Sequence, residues 1–255
     1  MMFPIDIADA LDRANRDHTI RLKARANLVG LVKALFDHQD RDEPHISDTG
    51  RCARELWADL RDLHDIEPDF KTQLTRFDGG HLMGAWEASL LKEFIEAEYP
   101  AYTVYCEKEL EIDGVVGRTD FIVYHTATAK AVWAVDFKLT WFSKAEEKDN
   151  QRLQVSTYAA AAGAPVASIF LIAPSAYGAK PWYLQSDYSV ADEMASVERE
   201  LRRIKAAAFS ETMPDGDPQE SWRCTTCAFS ACDRNRNPRK PEYGAPITEE
   251  TVVVL

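Results

Sequence analysis

No apolar stretch in this sequence approaches the ~20 residues that a membrane helix requires, and the N-terminus lacks the basic residues and apolar core of a secretory signal. The chain therefore reads as soluble and cytoplasmic, without a membrane partner. Positive charge is also scarce: 30 Lys and Arg stand against 42 Asp and Glu, a formal net charge of −12. A protein that coats long nucleic acid needs clustered cations to neutralise phosphates. That class is disfavoured, whereas a narrow site that threads one strand is not. There are only five cysteines, and in a reducing compartment these are ligands or free thiols rather than disulfides. Internal repeats and low-complexity tracts are absent.

What is present suffices for a large core: 255 residues at 45% hydrophobic content, read as one domain with appendages. Apolar residues at helical spacing predict helices over 5–16 and 19–38. Ser47 is the expected cap of a helix over 48–60 that contains Cys52. Residues 64–77 read as loop. Asp78-Gly79-Gly80 opens a helix that ends before Pro100, with His81 in its first turn. The period then changes to two over 104–112, which predicts a strand with Cys106 on the apolar side and Glu107 and Glu109 on the solvated side. Asp113-Gly114 is a hairpin turn into a second strand over 115–124. Residues 131–135 are continuously apolar, as in the middle of a sheet covered on both faces, and Asp136 and Lys138 end that strand. A polar helix over 143–162, an apolar strand over 166–173, an edge strand over 182–185 and a charged helix over 190–209 follow. The pattern is α/β, with a mixed central sheet flanked by helices. The expected division is a helical extension over 1–45, a core domain over 46–238 and a tail over 239–255.

Side chains two apart in a strand share a face, so Asp136 and Lys138 project together. Asp120, near the end of the neighbouring strand, supplies a second carboxylate. Two such groups converge on a hard cation such as Mg2+ or Mn2+, with the Phe137 carbonyl as a further ligand. A lysine beside the metal orients the attacking water and offsets phosphate charge. The acid-x-Lys pattern recurs at Asp69-Phe70-Lys71 and Glu146-Glu147-Lys148, but only the 136/138 pair has a buried strand before it and an acid upstream. Gln154 and Tyr158 are four apart and share a face of the next helix. Arg118, Arg51, Arg54, Lys144 and Arg152 are candidates for phosphate contacts. Cys224, Cys227 and Cys232 form a ligand-like cluster that needs a fourth thiol, with Cys52 the candidate; zinc and iron–sulfur chemistry both fit.

Taken in order, Gly80-His81, Gly117-Arg118-Thr119-Asp120, Val135-Asp136-Phe137-Lys138 and Gln154-x-x-x-Tyr158 resemble the RecB-like branch of the PD-(D/E)XK nuclease superfamily, over about residues 46–235. The resemblance implies a restriction-endonuclease-like core and a DNA exonuclease acting on single-stranded ends or overhangs. It implies a metal site formed by His81, Asp120, Asp136 and Lys138, and DNA contact by Gln154 and Tyr158. One cysteine before these motifs and three after them resemble the iron–sulfur subgroup, which includes the CRISPR-associated exonuclease, its phage relatives and the AddB nuclease domain. There a [4Fe-4S] cluster, here on Cys52, Cys224, Cys227 and Cys232, staples the two chain ends, and a CRISPR integrase or recombination protein is the implied partner. Two features depart from the subgroup: four residues rather than the common five separate the last two cysteines, and helices precede residue 46. The alternative is a partner-binding adaptor in which cleavage is subsidiary or lost.

Overall fold

The computed structural model describes residues 3–36, 43–63, 79–140, 146–173 and 182–216, together with all of 224–236 except 226, 228 and 235. The expected loop over 64–77, Lys144 and the tail over 239–255 lie outside the described residues.

Among the described residues, five strands form one mixed sheet in the order β1-β2-β3-β4-β5: β1 (Tyr102–Ile112), β2 (Val115–His125), β3 (Lys130–Leu139), β4 (Val166–Ala173) and β5 (Trp182–Ser189). Only β3 and β4 run parallel, because a helix connects them whereas tight turns join β1 to β2 and β2 to β3. The apolar run at 131–135 lies in β3, the central strand, as its lack of alternation predicts. The last strand extends beyond the expected edge segment, pairing with β4 from Trp182 to Ser189.

Helices cover both faces. On one side, α1 (Ile7–Arg16), α2 (His18–Phe36) and α4 (Gly79–Glu98) share a core with the sheet, in which Phe3, Ile7, Leu11, Leu90 and Phe94 meet Phe121, Trp133, Phe137 and Phe170. On the other, α5 (Asp149–Ala162) and α6 (Val190–Ala208) pack with α3 (Ala53–Asp59). Cys106 packs against the first core, where burial pushes its thiol up to about 12. The N-terminal segment is tied to the sheet edge by Gln185: its Oε1 accepts from Ile7 N at 2.8 Å and its Nε2 donates to Ile5 O at 2.9 Å. The first bond satisfies an amide that a helix start leaves without an intrahelical partner. The indole of Trp133, fully buried, donates to Ser168 Oγ at 2.6 Å, and that hydroxyl donates to Asp187 Oδ1 at 2.6 Å. A polar chain thus ties β3, β4 and β5 together, and its hydrogen bonds offset the desolvation of the buried indole N–H and hydroxyl.

Two expectations about helix starts need correction. Ser47 does not cap a helix over 48–60. Ile46–Asp48 is a short 3-10 turn in which His45 and Asp48 cap one another, Gly50 is left-handed at φ 72°, and α3 begins only at Ala53, with Cys52 at its N-cap rather than inside it. The left-handed glycine breaks the helical path that the apolar spacing suggests. Likewise α5 starts at Asp149, since Lys148 is extended and its amide donates to Gln151 Oε1 at 3.0 Å. Nor is α5 a polar surface helix: Val155, Ser156, Thr157, Tyr158 and Ala159 are all buried. Small side chains let it lie close to the sheet, and Thr157 satisfies its hydroxyl on Leu153 O at 2.7 Å.

Candidate active site

The close approach of α5 to β2 explains Gly117. A β-carbon built there would lie 2.8 Å from Tyr158 Cε1 and 2.8 Å from Ile46 Cβ. Any side chain at 117 would push the helix, and with it Gln154, off the strand that carries Asp120. Gly117→Ala is expected to cost about 1–3 kcal/mol through overpacking. It should lower both the melting temperature and any activity that depends on Gln154. An unchanged melt would show that the contact relaxes freely.

Three strand positions beyond that glycine, Asp120 Oδ2 accepts a hydrogen bond from Phe137 N at 2.8 Å, so β2 and β3 are clamped where their acids lie. Asp136 is 1% exposed. Lys138 Nζ stands 2.8 Å from Asp136 Oδ2, yet that oxygen has no hydrogen bond of good geometry, so the contact is an ion pair off the donor axis. Burial, then the charge of Asp136, raises the Asp120 carboxyl well above the usual carboxylate range. Burial works against the Lys138 ammonium, but the two carboxylates outweigh it and hold the group above its ordinary value. Sequence-predicted Asp120, Asp136 and Lys138 are therefore brought together.

A third acid belongs to the same neighbourhood. Glu107, expected as a solvated strand residue, is only 12% exposed at its side chain and pairs with Arg118 Nε at 2.8 Å. Burial raises its carboxyl, Arg118 offsets part of that, and it feels the charge of Asp136. Glu109, by contrast, is exposed. The alternation pattern offered no signal for Glu107, because the strand departs from regular geometry there.

The fit to a divalent cation rests on two observations. Two like charges lie side by side, Asp136 buried and Asp120 half-buried, and one oxygen of Asp136 lacks a well-aligned donor. A hard cation would relieve both. Among the described residues, no three or more His, Cys, Asp or Glu side chains are drawn together tightly enough to hold a metal. His81 lies in the first turn of α4, but its side chain is outside the described residues; one turn on, Gly84 lies against Phe137 Cβ. Gln154 Nε2 donates to Tyr158 OH at 3.5 Å, and Tyr158 is 2% exposed, its ring packed into the core of α3, α5 and α6.

Arg51, Arg54 and Arg152, the other described cations among the candidates, are committed elsewhere. Arg51 holds Asp48 and Asp59 at 2.8 Å each and Glu55 at 3.4 Å. Arg54 binds Pro214 O at 2.9 Å, Cys232 Sγ at 3.7 Å and the carboxylate of Asp233. Arg152 pairs with Asp149 and Glu193. Arg51 and Arg54 thus fasten chain segments to one another. They do so beside the cysteines: Cys227 and Cys232 pack with Trp57, Ala58 and Phe229. The Cys224 and Cys227 thiols are raised first by burial and then by the charges of neighbouring groups, Cys232 and Cys52 among them. The chain ends around residues 52 and 224–232 are therefore within electrostatic reach of one another.

The sequence matches the PD-(D/E)XK nuclease superfamily over residues 27–232. No curated protein gave a significant match. Among solved structures, that of SSO0001 is 16% identical with a TM-score of 0.49, covering 82% of this chain and 95% of the other. An alkaline exonuclease (LHK-Exo) from Laribacter hongkongensis is 12% identical with a TM-score of 0.38, covering 66% of this chain and 88% of the other. The family match spans most of the chain and includes Gly117, Asp120, Asp136, Lys138 and the cysteine cluster; the chain belongs to the PD-(D/E)XK nuclease superfamily.

Proposed function

We propose that this protein is a divalent-metal-dependent exodeoxyribonuclease that hydrolyses phosphodiester bonds at single-stranded DNA ends or overhangs. The observation that carries the reading is the neighbouring Asp120 and Asp136 pair, clamped through Phe137 N and faced by Lys138. Asp120, Asp136 and the Phe137 carbonyl, with His81, would hold Mg2+ or Mn2+, which supplies Lewis acidity and lowers the pKa of bound water. Lys138 places a positive charge where a phosphate would sit and orients the water. Gln154 contacts the strand, held by the Tyr158 hydroxyl, and Arg118 receives a phosphate oxygen. Cys52, Cys224, Cys227 and Cys232 would hold a structural [4Fe-4S] cluster, or zinc in its place, which joins the chain ends.

An end-labelled single-stranded oligonucleotide with Mg2+ or Mn2+ tests this. Lys138→Ala is expected to slow cleavage at least about 100-fold while the fold is retained. Undiminished cleavage by that variant would refute the assignment. A covalently closed single-stranded circle should survive; its cleavage would replace the exonuclease reading with an endonuclease one.

A further inference from the structure

Glu107 is the described non-glycine residue that takes a left-handed conformation inside a strand. Its φ is 51°, inside β1, whereas the other described non-glycine residues with positive φ, namely Asp62, Asp113 and Ala129, lie in turns. A left-handed glutamate within a strand carries a conformational cost, and such residues persist where the surroundings hold them for a purpose. The pairings Cys106↔Phe121 and Lys108↔Thr119 flank it, so Glu107 stands opposite Asp120. At that point the strand turns a carboxylate inward onto the Arg118 guanidinium, two residues before Asp120, with Nε to oxygen at 2.8 Å. Local irregularities in strands beside active sites re-aim side chains in this way.

We propose that Glu107 is a positioning residue: its carboxylate fixes the Arg118 guanidinium beside the Asp120 and Asp136 pair as the receiver of a phosphate oxygen of the DNA. The proposal deepens the nuclease reading and rests on it. A guanidinium on a flexible stem loses rotamer freedom when it binds phosphate. Glu107 meets that cost in the folded protein, before substrate arrives, so its contribution appears in substrate binding rather than in the chemical step. The competing explanation is purely structural: an irregular edge strand resists pairing with other chains.

The test is steady-state cleavage of a single-stranded oligonucleotide with Mg2+ by the full-length protein, comparing Glu107→Gln, Arg118→Gln and the double variant. Each single change is expected to raise KM about tenfold with kcat little altered, and the double to be no worse than Arg118→Gln alone. Glu107→Gly, which removes the carboxylate and the left-handed strain together, should show the same KM and no loss of melting temperature. A wild-type KM in Arg118→Gln, or additive effects in the double variant, overturns the proposal alone. So does a raised Mg2+ requirement at unchanged KM in Glu107→Gln, which would make Glu107 a metal ligand. A lower melting temperature of Glu107→Gly at wild-type KM would mark a merely structural residue. No wild-type cleavage, or cleavage that survives Lys138→Ala, overturns the nuclease reading and this proposal with it.

Discussion

Asp120→Asn is expected to abolish metal-dependent cleavage, at least about 100-fold, while leaving the metal-free protein as stable as wild type or more so. The amide oxygen of asparagine still accepts from Phe137 N, so the clamp between β2 and β3 survives. What disappears is a half-buried negative charge beside Asp136, whose desolvation, followed by that like-charge contact, raises the Asp120 carboxyl. In a nuclease of this kind that repulsion is the counterpart of cation affinity, so relief of the one removes the other. Wild-type protein at a Mn2+ concentration 100 times its dissociation constant should gain about 2.7 kcal/mol, or about 5–10 °C for a domain of this size. Asp120→Asn should gain little. A variant that keeps the full Mn2+ shift would show that Asp120 is not a ligand, whatever its activity.

Cys232→Ala is expected to lower stability by about 3 kcal/mol or more and to reduce bound iron. The thiol is 6% exposed, packs with Ala58 and Phe229, and accepts from Arg54 Nη1 at 3.7 Å. The apolar loss from removing one sulfur is small beside that figure. The larger part would come from opening the proposed link between residue 52 and residues 224–232, because a cross-link over most of the chain removes many conformations from the unfolded ensemble. Anaerobically purified protein gives the readout through colour, iron content and melting temperature. Cys106→Ala is the control, since Cys106 packs in the other core and its removal should leave iron in place. A Cys232→Ala protein with wild-type iron and melting temperature would end the cluster hypothesis.

Much of the fold follows from local chemistry. The turn at Asp113-Gly114, the extended character of β1 and the continuous apolar run of β3 were legible because hydrogen-bonded turns and burial periodicity act over a few residues. The same holds for the common projection of Asp136 and Lys138, which needs only the two-residue repeat of a strand. The single apolar face expected of β1 was not kept: Val104 and Cys106 join one core and Leu110 and Ile112 the other, with left-handed Glu107 between them. Ranges were less legible: the start of α3 shifted because Gly50 adopts a left-handed conformation, and the start of α5 because Lys148 is extended and the Gln151 side chain accepts from its amide.

By itself, the sequence determined the strand order of the hairpins, the placement of Asp120, Asp136 and Lys138 on neighbouring strands, and the four cysteines in two separated groups, although β2 runs on to His125 and leaves Asp120 in mid-strand rather than near its end. The tertiary structure alone decided which charges are available to a substrate. Arg51 and Arg54 look like phosphate contacts until the fold pairs them with Asp48, Asp59 and Asp233. Glu107 looks solvated until a left-handed residue turns it onto Arg118. Tyr158 looks like a substrate contact until Gly117 lets its ring sink into the core. The reason is common to all three. Period and propensity report which face a side chain occupies, whereas the partner it meets there is set by turns, strand irregularities and helix packing that periodicity does not register.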